Sequence, residues 1–164
     1  MNSELLDRLL TMRLRLIWTG KTRNAHLRAL IEDYLQRLSH FTKCEISEFR
    51  ETTGAQRKRG IDKDSQRISD GLREGSVNVL LDPEGDEWTS TQLAKQITQW
   101  QNGGTKELTF IVGGPNGVSA ELAARASKRW SLSRLTLTHE MARVVLLEQL
   151  YRAHTIIHGL PYQK

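Results

Sequence analysis

The chain has 164 residues, enough for one well-buried domain and too few for two, and its 26% charged and 38% apolar residues exclude a chain kept disordered by charge. No apolar run approaches the roughly 20 residues that cross a bilayer, and MNSELLDRLLTM at the start has acidic residues where a signal peptide has a basic segment, so a cytoplasmic protein with no membrane partner is expected. Lys and Arg outnumber Asp and Glu by 24 to 19, a formal charge of +5 that suits an anionic partner, with nucleic acid the first candidate.

In chain order, RLRLIW at 13 to 18 alternates basic and apolar residues and predicts a strand, and Leu27, Leu30, Ile31, Tyr34, Leu35 and Leu38 fall at helical spacing within 24 to 40. CEISEF at 44 to 49 predicts a second strand; its Cys44 is the single cysteine, which excludes an internal disulfide and reads as an inert strand residue. RETTGAQRKRG at 50 to 60 reads as a flexible basic loop, followed by a helical pattern around 61 to 74. VNVLLD at 77 to 82 has the continuous apolar character of a strand buried on both faces, which Pro83 and Gly85 are expected to end. Leu93, Ala94, Ile97 and Trp100 mark a helix stopping near Asn102-Gly103-Gly104. LTFIV at 108 to 112 is another buried strand, and Leu122, Ala123, Ala126 and Trp130 suggest the next helix. LSRLTL at 132 to 137 reads as a final short strand, and EMARVVLLEQLYRA at 140 to 153 as a helix apolar around most of its circumference. Strands separated by helices predict an α/β fold, a mainly parallel sheet covered on both faces.

The corner Gly113-Gly114-Pro115-Asn116-Gly117 has neither the P-loop nor the dinucleotide pattern, Pro115 removes a donor, and no Lys or Arg lies between Phe110 and Leu122. Its position at the carboxyl end of a parallel strand suits a mostly uncharged pocket, shared with Leu81-Asp82-Pro83 and the segment after Trp130; a plain tight turn is the competing reading. Thr138 reads as an N-cap for the last helix, with His139 and Glu140 in its first turn. Arg143, on an otherwise apolar helix, asks for a carboxylate or phosphate partner. His154 and His158 are four apart but no acidic third ligand is near, so no metal is expected.

The segments IVGGPNGVS, WSLSRLTLTHEMARVVLLEQLYRA and GLPYQK together resemble the RlmH (YbeA-like) branch of the SPOUT methyltransferases, in order over the chain from Met12. Residues 1 to 11 then read as an extension, disordered or a short helix, and 12 to 164 as one SPOUT domain. The resemblance implies a C-terminal trefoil knot, a homodimer, S-adenosylmethionine as methyl donor without a metal, and methylation at N3 of a pseudouridine in the 23S rRNA of the large ribosomal subunit. Matched position by position, Leu81, Gly113, Gly114 and the run Leu132, Ser133, Arg134, Leu135, Thr136 and Leu137 would bind the cofactor. His139, Arg143 and Tyr162 would be catalytic, with His139 and Arg143 at a dimer-facing rim. Arg57, Lys58 and Arg59, with Arg50, Lys63, Arg13, Arg15 and Arg143, would face RNA phosphate. Gln163 stands where the family has histidine after the tyrosine, and glutamine is no general base; a ribosome-binding protein that keeps the cofactor site without the chemistry is the alternative. Free rRNA, subunit and ribosome remain open as substrates.

Overall fold

The computed structural model describes residues 3–4 and 12–162, so the expectation for residues 1–11 falls mostly outside the described residues. Five strands, β1 (Arg13–Thr19), β2 (Cys44–Phe49), β3 (Val77–Glu87), β4 (Glu107–Val112) and β5 (Lys128–Ser131), alternate with five helices: α1 (Ala25–Leu38), α2 (Arg57–Gly71), α3 (Ser90–Asn102), α4 (Ala120–Ala124) and α5 (His139–Ile157). The strands form one sheet in the order β2-β1-β4-β3-β5, and every pairing is parallel. The α/β architecture expected from the alternation is the one found.

Successive side chains on a strand face opposite sides, and the core divides accordingly. Leu16, Trp18, Val79, Phe110 and Val112 join Leu146, Leu147 and Leu150 of α5 in the larger cluster beneath α1, α3 and α5. Ile17, Leu80 and Ile111 meet Ile68 of α2 and Leu122 of α4 in the smaller cluster on the other face. Each buried Leu, Ile or Phe is worth about 1.5–3 kcal/mol relative to exposure, so the central strands and α5 hold the fold. Helix starts follow side-chain capping: Asn24 accepts from His26 and Leu27 at α1, Thr89 and Gln92 form a capping box at α3, and Thr138 accepts from Met141 at α5.

Several elements differ from expectation. β3 does not stop at Pro83 and Gly85. It shifts register against β5 between Leu81 and Asp86 and continues to Glu87, because an irregularity at the sheet's outer pair tolerates a residue without an N–H. Gly85 is needed there: an added Cβ would lie 2.6 Å from the backbone of Arg129 and Trp130. The helix expected through Trp130 ends at Ala124, and Trp130 belongs to β5, stacked on Trp88 at 5.4 Å and edge-on to Phe110 at 5.9 Å. The strand therefore precedes LSRLTL, and residues 132–137 are an irregular loop. The basic stretch is not all loop, since α2 begins at Arg57 and stops at Gly71.

Arg13 and Arg15 do not belong to a surface with the other basic residues. They start β1, at the amino end of the sheet, where Arg15 is buried and donates to Ser47 Oγ at 3.0 Å and to the Gly71 carbonyl at 2.6 Å, and Arg13 lies 3.9 Å from Glu107. Burial pushes the Cys44 thiol up to about 12, which suppresses the nucleophilic thiolate.

Candidate cofactor pocket and its rim

At the carboxyl ends of β3, β4 and β5 the structure opens a cavity of about 270 Å³. Its walls come from Leu81, Asp82 and Pro83 of β3, Val112 to Pro115 and Gly117 after β4, Ser131 to Ser133 and Leu135 to Leu137 after β5, and His139 and Ala142 of α5. All the positions matched to cofactor binding lie here except Arg134, whose side chain is 87% exposed and sits 3.6 Å from Glu87. Asp82, Pro83, Val112, Pro115, Gly117, Ser131 and Ala142 complete the lining, and of these the sequence placed only Asp82, Pro83 and the corner residues nearby.

The local chemistry explains the shape. Gly114 and Gly117 pair across the Pro115-Asn116 turn, with Gly117 at φ +82°, so the corner folds back on itself. A Cβ on Gly113 would come within 3.2 Å of Val118, and one on Gly114 within 3.4 Å of Thr19 Oγ1. Ser133 Oγ accepts the N–H of Leu135 at 2.9 Å and the Ser133 carbonyl accepts from Ser131 at 3.0 Å, which fixes the 132–137 loop without a strand ladder. Leu135 is 78% exposed, an apolar side chain left bare beside an apolar cavity.

The expected catalytic residues do not share one position. His139 lines the cavity, and its imidazole is lowered below its ordinary value first by burial and then by the Arg143 charge, so it is neutral at pH 7. Arg143, expected at the rim, lies beneath it at 1% exposure. Its guanidinium donates to Thr22 Oγ1 at 2.9 Å and to the Thr19 carbonyl at 2.8 Å and stacks over Trp18 at 4.8 Å, while Nε has no partner among the described residues. Tyr162 packs on Tyr151 at 4.9 Å and under Arg152 at 4.6 Å, toward the opposite end of α5 from His139. Tyr151 lies twelve residues along α5 from His139, about 18 Å of helix, so one chain does not bring Tyr162 to its own cavity. Burial, then its hydrogen bond with Tyr34, pushes the Tyr162 hydroxyl up to about 12. Gln163 lies outside the described residues.

Arg57, Lys58 and Arg59 form the exposed first turn of α2, which has no acidic residue and no side-chain cap at Gln56. Cations there oppose the helix dipole by a few tenths of a kcal/mol each, a cost that an anionic partner reverses. Arg57 also borders a smaller, polar cavity on the far side of the Gly114–Gly117 turn, with Glu51, Thr52 and Asp64. His154 is fully buried with Nδ1 on the Leu150 carbonyl at 2.8 Å, a role in packing. Among the described residues no group of three His, Cys, Asp or Glu is placed to hold a metal ion, and no helix is long and apolar enough to cross a membrane.

An all-parallel sheet with an apolar, glycine-cornered pocket beyond its carboxyl ends defines an α/β protein with its cavity where such folds bind small molecules. Residues 12–163 match the family described as "predicted SPOUT methyltransferase", and the chain belongs to that family of methyltransferases. It is 42% identical over 151 residues to the "Ribosomal RNA large subunit methyltransferase H" of Geobacter sp. (strain M21), across 92% of this chain and 98% of that protein. The protein of the same name from Gloeobacter violaceus (strain ATCC 29082 / PCC 7421) is 40% identical over 151 residues, 92% of this chain and 98% of its own. In fold alone, the chain is similar to a probable methyltransferase from Bordetella pertussis Tohama I, with a TM-score of 0.54 and 9% identity over 93% of this chain and 99% of that one.

Proposed function

We propose that this methyltransferase transfers a methyl group from S-adenosylmethionine to N3 of a pseudouridine in the RNA of the large ribosomal subunit, acting as a cytoplasmic homodimer without a metal. The observation that carries the reading is the cavity itself: the residues matched to the cofactor converge, Arg134 excepted, on one apolar space whose corner is glycine. Leucines 81, 132, 135 and 137 offer faces for an adenine ring, and a ligand there covers Leu135. Among the described residues, 132–137 enter no backbone ladder or backbone turn hydrogen bond, and apart from the Leu135 N–H and the Ser133 carbonyl, which bond to serine hydroxyls, their peptide groups can read an adenine edge. No phosphate has to be bound, which suits a corner without Lys or Arg. The cofactor supplies the methyl group, and the protein's part is to hold donor and acceptor in line.

His139 is the titratable ring at the cavity, and being neutral at pH 7 it can accept a hydrogen bond or a proton from the acceptor base. Tyr162 packs about 18 Å along α5 from His139, which supports a dimer in which the tail of one chain serves the cavity of its partner. A knotted C-terminal segment is part of the same reading, supported by family membership and by three chain-distant loops meeting at one cavity. Arg57, Lys58 and Arg59 are proposed to contact RNA phosphate, because their exposed charges gather at a helix start that disfavours them.

The test is transfer of a radiolabelled methyl group to ribosomes, to isolated large subunits and to free rRNA lacking the modification, by the natural chain and by Gln163→His. Incorporation of about one methyl per large subunit by the natural chain is expected. The second reading, a cofactor-binding protein without chemistry, is favoured by Gln163 alone; cofactor binding without transfer, restored by Gln163→His, would establish it.

A further inference from the structure

The loop from β1 to α1, Gly20 to Asn24, is gripped from two points by the first two turns of α5. Glu140 Oε1 accepts the N–H groups of Arg23 at 2.6 Å and Asn24 at 3.0 Å. One turn along, Arg143 donates to Thr22 Oγ1 and to the Thr19 carbonyl. Arg28 adds a third hold, donating to the Thr22 carbonyl at 3.3 Å. Burying a guanidinium at 1% exposure is expensive, and among the described residues Arg143 makes no ion pair: its hydrogen bonds go to the carbonyl that ends β1 and to a hydroxyl of this loop. An apolar side chain would fill that space at lower cost, so the arginine answers to what it holds in place.

What the clamp displays is cationic. Thr22 is buried between Lys21 and Arg23, which both point to solvent. Lys21 makes no ion pair among the described residues, and Arg23 has only a long contact of 3.9 Å to the part-exposed Glu51, its own side chain 82% exposed. The loop adjoins the cavity on two sides: Thr19 lies against Gly114, and His139 at the cavity wall directly precedes the clamping Glu140.

We propose that Lys21 and Arg23 form a phosphate-contacting rim for the RNA strand that carries the acceptor base, and that Glu140 and Arg143 are positioning residues that set the rim's distance from the cavity. The proposal rests on the reading of the substrate as RNA. A phosphate contact gives orientation and salt dependence but no sequence information, and it helps transfer only if the loop carrying it is fixed relative to the reacting base. The backbone hydrogen bonds from Asn24, and then Arg23, hold the Glu140 carboxyl below its usual range, so the clamp stays charged at neutral pH.

The experiment measures binding of full-length protein to large-subunit rRNA across salt concentrations, with cofactor affinity measured separately by calorimetry. The exposed double variant Lys21→Ala/Arg23→Ala should reduce the slope of log affinity against log salt by about 1.5, with cofactor affinity unchanged. Glu140→Ala should raise the KM for rRNA several-fold with a smaller effect on kcat, and Glu140→Gln, whose amide oxygen still accepts both N–H groups, should restore it. A double variant with unchanged slope and affinity, or Glu140→Ala with unchanged KM, would overturn the proposal. The salt slope reads binding, so a natural chain that binds rRNA without transferring methyl overturns the catalytic reading alone, with rRNA affinity then replacing KM for the Glu140 variants, whereas failure to bind rRNA overturns both.

Discussion

His139 and His154 are both held below the ordinary histidine value, but their surroundings differ: one ring lines the cavity and the other is packed inside the fold. His139 is part-buried at the cavity beside Arg143. If it takes a proton from the acceptor base, transfer should depend on its neutral form. The rate should then be flat down to the usual histidine range and fall only as pH drops through the lowered value, an inflection that His139→Asn removes; pH profiles of kcat for both proteins check this. His154 is enclosed among Leu150, Phe41 and His158, burial being the main cause of its shift and the His158 charge a minor one. Because its folded value is depressed, its contribution to stability is complete above about pH 6.5 and is lost as pH falls toward the folded value, where the unfolded chain binds the proton and the folded chain does not. Melting curves at pH 7.5 and 5.5 should show a loss that His154→Phe diminishes. At the glycine corner, Gly114→Arg should fill the cavity and abolish cofactor binding in calorimetry, and unchanged affinity would remove the corner from the site.

At the scale of elements, α5 links stability to the site, since its N-cap and first two turns carry Thr138, His139, Glu140 and Arg143 and its next turns carry Leu146, Leu147 and Leu150, these three leucines fully buried. Leu147→Ala should cost about 2–5 kcal/mol in denaturant unfolding without moving cofactor affinity in the folded fraction. Thr138→Ala should cost about 1 kcal/mol. β1, β2, α1 and α3 were legible in the sequence because their apolar patterns were regular, and the structure adds side-chain caps at Asn24 and Thr89 where the two helices begin. The segment from Val77 to Glu87 was not, because Pro83 and Gly85 are breakers in a local reading, and only the shifted pairing with β5 keeps the strand going. Trp130 fell at helical spacing by coincidence; its place is set by Trp88 and Phe110, which are distant in sequence.

For the whole molecule, alternation of strand and helix was enough for the sheet, its two covered faces and the place of the cavity at the carboxyl ends of its strands, whereas the ligand and the individual residues matched to it needed the family resemblance, because three loops with no shared local motif carry no ligand signature. Glu140 was legible only as a dipole partner for α5, and its hold on Arg23 and Asn24, more than 100 residues away, required the fold. A basic chain whose cations cluster on the first turn of α2 and on the loop before α1 should bind rRNA with strong salt dependence. The central claim is methyl transfer to a pseudouridine, and nucleoside mass spectrometry reads it most directly. Large subunits lacking the modification are incubated with the natural chain and S-adenosylmethionine, and their rRNA is then digested. One pseudouridine per subunit carrying a methyl group on its ring, absent with Gly114→Arg, is the predicted result. Bound cofactor with no methylated pseudouridine, or a methyl group on another nucleoside, would contradict the account.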